Sequence, residues 1–275
     1  MSKHPLDRRQ LLSLAGLASL GGLAALSGCT TGANPSDTRG ATPAPTPTNG
    51  SRSPSASPTA SGAPSASPAG PRAVGNGSDV SHGPVSVPKV ALTFHGAGAS
   101  ALARAVLAEL GRTNTRVTIF AVGNWLEAEP ALARLVLDGG HELGNHTYTH
   151  LPMRTLSAAK ADTEVARCAD VLTRLTGGQG PWFRPSGTPA STATIRAAAR
   201  RAGYPQCVTY DLDSLDWTDP GPAAVERTVL AKVGNGSIIS LHLGHAGTVR
   251  ALPALIDGLA SRSLQPVTVT DLLVA

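Results

Sequence analysis

The sequence predicts an α/β fold: a distorted (β/α) barrel of about seven parallel strands with outer helices, preceded by a disordered tether. Three observations predict it. From about Val87 onward, short apolar runs alternate with segments of helical spacing, the pattern of a parallel sheet wrapped in helices. The number of strand–helix units, about seven, favours closure of that sheet over an open one. The polar residues suited to chemistry fall where strands end: His95, Asn145-His146, Arg184, the stretch from Asp211 to Asp216, and His242. Barrels of this class gather their chemistry at that rim.

The elements follow in order. Lys89-Val90-Ala91-Leu92-Thr93-Phe94 is an apolar run of strand length. Ala101 to Leu110 is helical, with Leu102, Val106 and Leu110 on one face. Arg116 to Val122 is the next strand. Pro130 to Asp138 is a helix with proline in its first turn and Gly139-Gly140 as its stop. His141 to Asn145 is a short strand. Ser157 to Leu175 is a long helix that begins with a serine cap and ends before Gly177-Gly178. Trp182-Phe183-Arg184 is extended, Thr192 to Ala202 helical, Gln206 to Asp211 a strand, and Pro222 to Val233 a helix. Gly236 to His242 is an almost wholly apolar strand, Thr248 to Ser261 a helix, and Pro266 to Val269 the last strand.

Ahead of the domain stand two segments of different character. In residues 1–29 an arginine pair, Arg8-Arg9, precedes the apolar run Leu11 to Leu26 and then Leu26-Ser27-Gly28-Cys29. The run is short for a membrane span. The ending resembles a bacterial lipobox, which makes Cys29 the lipidated first residue of a mature lipoprotein, and the arginine pair resembles a twin-arginine export signal. Residues 30–86 are rich in Pro, Ser, Thr, Ala and Gly. They carry too little apolar surface to offset the entropy of ordering them, which predicts a disordered linker. Residues 87–275 have the composition of a single globular domain.

Charge narrows the partners. The chain carries +5, but from residue 87 onward 17 Lys and Arg face 15 Asp and Glu, a net of +2. That balance excludes a nucleic-acid footprint, as does an extracytoplasmic address. With Cys29 assigned to lipid, Cys168 and Cys207 remain, either as a disulfide or as two small buried thiols.

The densest chemical signal is Glu142-Leu143-Gly144-Asn145-His146-Thr147-Tyr148-Thr149-His150. Imidazole is the commonest protein ligand for zinc. On one helical turn residues i and i+4 share a face, so both rings would reach one ion. An isolated pair at this spacing is as readily two surface histidines. Its companions at the other strand ends decide the matter.

In order, those strand ends resemble the motif series of the polysaccharide deacetylases, carbohydrate esterase family 4, over nearly all of residues 88–275. The family's usual motifs are T-F-D-D-G, H-[ST]-x-x-H, an Arg-Pro, an Asp-rich stretch closing on Trp, and a Leu-x-His strand end. His146-Thr147-Tyr148-Thr149-His150 matches the second, and the resemblance makes His146 and His150 metal ligands. Phe183-Arg184-Pro185-Ser186-Gly187 matches the third and gives Arg184 the task of orienting the base. Tyr210-Asp211-Leu212-Asp213-Ser214-Leu215-Asp216-Trp217 matches the fourth. There Asp213 is assigned as the carboxylate tuning the acid, Trp217 as a wall of the substrate groove, and Asp211 and Asp216 as turn-formers. Ser240-Leu241-His242 matches the fifth, with His242 as general acid and Leu241 lining the pocket for the acetyl methyl. The first motif departs: Thr93-Phe94-His95-Gly96-Ala97-Gly98 stands in place of T-F-D-D-G. Gly96 has no side chain to ligate with, and His95 takes the base position, serving either as base or as third ligand. His245 has no counterpart in the pattern.

The resemblance implies a metal-dependent hydrolase, with a divalent metal, zinc, as cofactor, that removes N-acetyl or O-acetyl groups from a cell-envelope polysaccharide such as peptidoglycan. The expected partners are that polysaccharide and, through the lipid anchor, the cell membrane; the expected state is a monomer. Two other readings use the same barrel: an inactive glycan-binding protein, motivated by the His95/Gly96 change, and a small-molecule amide hydrolase with a narrow closed pocket.

Overall fold

The computed structural model describes residues 79–274. The proposed signal segment with Cys29, and the tether as far as residue 78, lie outside the described residues. Among those described, no helix is long and apolar enough to cross a membrane.

The sheet is parallel and runs β3–β2–β1–β5–β4. Here β1 is Lys89–Gly96, β2 Thr118–Ala121, β3 Glu142–Asn145, β4 Leu212–Asp213 and β5 Ile238–His242. A short β6, Gln265–Val267, pairs with the first three residues of β1. Beyond β3 the wall continues through single parallel bridges, Asn145 to Phe183 and Phe183 to Cys207. The segment that starts at Cys207 then reaches β4, which pairs with β5. The strands expected at 182–184 and 206–211 are therefore present as single-bridge staves, and the ring returns to β5. Around it stand α1 (Ser100–Arg112), α2 (Gly123–Ala128), α3 (Ala131–Asp138), α4 (Ala158–Thr176), α5 (Ala193–Arg201), α6 (Pro222–Leu230), α7 (Ala246–Ala260) and α8 (Val269–Leu273).

The expected helix stops and starts are built as the residues suggested. Ser157 caps α4 by accepting the Lys160 amide at 3.4 Å, and Gly177 ends that helix with φ 84°. Thr192 caps α5 and Thr268 caps α8 in the same way. Two helices were not anticipated. α2 was hidden because Gly123-Asn124 resembles a turn, and α8 because Val267-Thr268-Val269 extends an apparently continuous strand.

Strand alternation divides the core. Val90, Leu92 and Phe94 of β1, with Ile239 and Leu241 of β5, face the helices and join the largest apolar cluster. Ala91, Phe120, Trp182, Val208, Ile238 and Val267 fill the interior, with Val269 and Leu272 of α8. The β1–β5 register stacks that interior in layers: Ala91 beside Ile238, Thr93 beside Ser240, and His95 beside His242. Each step up β1 by two residues is thus more polar than the last, and the histidine layer lies at the strands' C-terminal rim.

One expectation needs revision. Composition assigned residues up to 86 to the linker, yet Val80 is buried and inserts into the wall. Its amide donates to the Cys207 carbonyl at 2.8 Å, and its own carbonyl accepts the Thr209 amide at 2.7 Å. Of the two alternatives for Cys168 and Cys207, the structure shows the free, buried thiols. Burial pushes the Cys168 thiol up to about 12 and that of Cys207 to about 11, so neither is a nucleophile.

Candidate metal and acid–base site

At the rim His95, His146, His150 and His242 form a chain of rings. Centroids are 4.4 Å apart for His95–His146, 4.9 Å for His146–His150 and 4.4 Å for His95–His242. His95, His150 and His242 border a cleft of about 460 Å³ whose other walls include Pro185, Pro189, Tyr210, Asp213 and Trp217.

The two histidines of the HxxxH run do not sit on a helix. Residues 146–150 form a loop in which Thr147 and His150 have φ of 67° and 62°, and these left-handed residues turn both rings the same way. The loop is held from both sides. The Gly123 and Asn124 amides at the start of α2 donate to the Thr147 and Tyr148 carbonyls, each at 2.9 Å. From α4, the buried Glu164 carboxylate accepts the Tyr148 amide at 3.1 Å, the Thr149 amide at 2.7 Å and the Thr149 hydroxyl at 2.7 Å. Sequence reasoning missed Glu164. A signal existed: it is an acid on the buried face of α4, among Ala161, Val165 and Cys168.

His146 is completely buried. Its Nδ1 donates to the Arg184 carbonyl at 2.9 Å, so its Nε2 carries a lone pair, and that atom is buried with no hydrogen-bond partner. One nitrogen from each of His95, His146 and His150 lies within 4.8 Å of the others. Burial holds all three imidazoles below their usual pKa. Neighbouring positive groups add to this: chiefly His146 and Arg184 for His95, His150 for His146, and His242 for His150. Neutral rings with converging lone pairs, one tautomer fixed by a carbonyl, are the donor set that a divalent transition metal requires. The residues fit the ion.

His242, at the end of β5, differs. Its Nδ1 donates to Asp216 Oδ1 at 2.7 Å. Asp216 is 1% exposed and also accepts the His242 amide at 2.8 Å and the Thr248 hydroxyl at 2.6 Å. Burial alone would raise this carboxyl, but the His242 and Thr248 contacts bring it below its ordinary value. This corrects the assignment of Asp213, whose Oδ1 accepts the Leu215 amide at 2.9 Å while the residue lines the cleft. The reason is local: Leu215 at φ 59° turns the chain so that Asp216, expected to be only a turn-former, points under β5. His245 forms a second, more exposed pair with Asp219 at 2.9 Å.

Three other residues stand as follows. Arg184 is buried, with its guanidinium bonded to Thr93 Oγ1 at 2.8 Å and to the Thr209 and Val208 carbonyls at 2.9 and 3.3 Å, above the Phe120 ring. Burial pushes it down to about 9, and its bonds tie staves together rather than orient a base. Leu241 does not line the cleft: it pairs with Phe94 in the helix-facing layer, one residue out of phase with His242. Ser240 takes the inward position, with its Oγ 3.2 Å from His95 Nε2. Trp217 stands at the cleft wall, 52% exposed, where it was expected.

Comparison with known proteins agrees with this geometry. The polysaccharide deacetylase family model matches residues 82–207. The peptidoglycan-N-acetylglucosamine deacetylase PgdA of Listeria monocytogenes is 26% identical over 184 residues, covering 67% of this chain and 38% of that protein. The chain spans 57% and 38% of the length of the first curated relatives it matches. A family 4 carbohydrate esterase from Streptomyces lividans, solved with acetate, is 32% identical with a TM-score of 0.60, covering 65% of this chain and 91% of that one. BA3943 of Bacillus anthracis, described as a CE4 family pseudoenzyme, shares the fold at 24% identity and a TM-score of 0.68, covering 72% and 69%. The chain belongs to carbohydrate esterase family 4, the polysaccharide deacetylases.

Proposed function

We propose that this protein is a metal-dependent deacetylase that hydrolyses N-acetyl groups on peptidoglycan, anchored outside the cytoplasmic membrane by lipid on Cys29. One observation carries the reading: the buried, partnerless Nε2 of His146, grouped with nitrogens of His95 and His150 within 4.8 Å and one ring away from the His242–Asp216 pair. The peptidoglycan deacetylase named among the relatives supports the substrate, and the export-like first 29 residues support the address.

His146 and His150 hold the ion, zinc. When bound, it polarises the acyl carbonyl and lowers the pKa of water. Hydrolysis forms a C–O bond from water and breaks the C–N bond, giving acetate and a free amine, so a proton lost by the water ends on the leaving nitrogen. His242 Nε2 takes that proton and delivers it to the nitrogen, because Asp216 keeps the ring's other nitrogen protonated and the ring oriented. The cleft walls, with a half-exposed Trp217, suit a sugar polymer lying across the rim better than a small amide enclosed in a pocket.

A second reading, glycan binding without turnover, is favoured by His95 and Gly96 standing where the family has two aspartates. Acetate release from N-acetylated peptidoglycan separates the two. The expected result is zinc-dependent acetate, abolished by chelation, by His146→Ala and by His242→Ala. Glycan affinity that survives both changes, with no acetate from the zinc-loaded wild type, would leave binding as the function.

A further inference from the structure

We propose that His95 is the third metal ligand, so that the ion sits among three neutral imidazoles and no carboxylate. The inference rests on the metal-dependent reading above and goes further by removing His95 from the acid–base chemistry. Three observations carry it.

β1 alternation sends one of its last two side chains to the cleft and the other to the helices. His95 is the one in the cleft, with its ring 4.4 Å from that of His146. Position 96 faces the other way: a Cβ on Gly96 would meet Ala121 Cα at 3.0 Å, Ile119 Cγ2 at 3.1 Å and Trp125 at 3.2 Å. The glycine is therefore the end of a packed strand rather than a gap in the coordination shell, and β1 has no other side chain to offer.

The nearby carboxylates stand outside the ligand group. Asp216 is saturated by His242 and Thr248 beneath β5, and Asp213 accepts the Leu215 amide. Neither joins the group of converging ligand atoms, which consists of His95, His146 and His150.

Finally, Ser240 Oγ at 3.2 Å from His95 Nε2 gives this ring the outer hydrogen-bond partner that the Arg184 carbonyl gives His146.

Two consequences follow. Three neutral nitrogen donors leave the ion its full charge and favour Zn²⁺, Co²⁺ or Ni²⁺ over the oxygen-seeking Mg²⁺, Mn²⁺ and Ca²⁺. With His95 engaged, the His242–Asp216 pair is left as the acid–base group at the cleft.

The test is zinc X-ray absorption on the full chain, with a competition titration of zinc affinity, for wild type, His95→Asn and His95→Ala. The expected spectrum shows three imidazoles in wild type and two in a folded variant. The zinc Kd should weaken by more than about 100-fold, beyond what loss of an outer partner costs. Excess Mg²⁺ should not displace zinc. Two imidazoles in wild type, or an unchanged Kd in His95→Asn, would overturn the inference and leave the deacetylase reading standing. A folded wild type that takes up no zinc would overturn both. Where neither variant folds, the wild-type imidazole count decides alone.

Discussion

Asp216→Asn tests the reading of His242 as a held general acid. Asp216 takes three hydrogen bonds, from the His242 amide at 2.8 Å, His242 Nδ1 at 2.7 Å and the Thr248 hydroxyl at 2.6 Å. An amide of the same shape must turn its NH₂ toward one of these donors. Turned toward Nδ1, it drives the ring into the other tautomer; turned toward the amide and Thr248, it loses the amide and makes the Thr248 hydroxyl rotate to accept. A hydrogen bond to a buried charge is worth about 1.5–3 kcal/mol, so losing one and weakening the rest costs about 2–4 kcal/mol of stability. Denaturant unfolding measures this. The native carboxyl is depressed, so its contribution is present above the ordinary value of 3.8 and is lost as pH falls below it. The variant should lack that acid-limb loss. Catalysis should fall about 10²–10⁴-fold in kcat, the range of a positioned acid–base group. Zinc content should not change, because Asp216 lies outside the ligand group. A kcat within threefold of wild type in a folded, zinc-loaded variant would refute the assignment.

Other expectations concern the surroundings of the site. Glu164→Ala strands two loop amides and should reduce zinc affinity about 10–100-fold, read by competition titration, while α4 stays folded. Gly96→Asp should restore no ligand. Its side chain is forced against Ala121, Ile119 and Trp125, and a thermal melt should show a loss of about 1–3 kcal/mol with no gain in zinc affinity. Glu142 is raised by burial despite its bonds to Thr270 and Thr118, so its stabilising share is full below the unfolded carboxyl value and fades as pH rises through the folded one. In Glu142→Gln, stability measured between pH 4.5 and 7 should fall less with rising pH than in wild type. Trp217→Ala should weaken glycan binding about fivefold to tenfold, measured calorimetrically, with zinc content unchanged.

How far the sequence anticipated this site depends on the kind of signal each residue leaves. His95, His146 and His242 were legible because each ends a strand or follows one directly, and parallel strands bring their ends to one rim, while His150 was legible from its spacing to His146. The helical picture of the HxxxH pair was wrong in mechanism though right in outcome: left-handed residues at 147 and 150 do what a helical turn would have done. Asp216 and Asp213 could not be ranked from composition, since the choice depends on the backbone at Leu215. The Leu241 assignment failed on parity alone. Counting by two back from His242 would have selected Ser240. The sheet itself was readable, including the segments at 182–184 and 206–211, which join the wall by single bridges, with the paired strand β4 starting only at Leu212.

The central claim is that three imidazoles, one from β1 and two from the loop after β3, meet at one rim to hold a single cation. Metal analysis of the purified protein and of His146→Ala tests it most directly. One zinc per wild-type chain and none in the folded variant is the expected result. Zinc retained without His146, or absent from a folded wild type offered excess zinc, would contradict it.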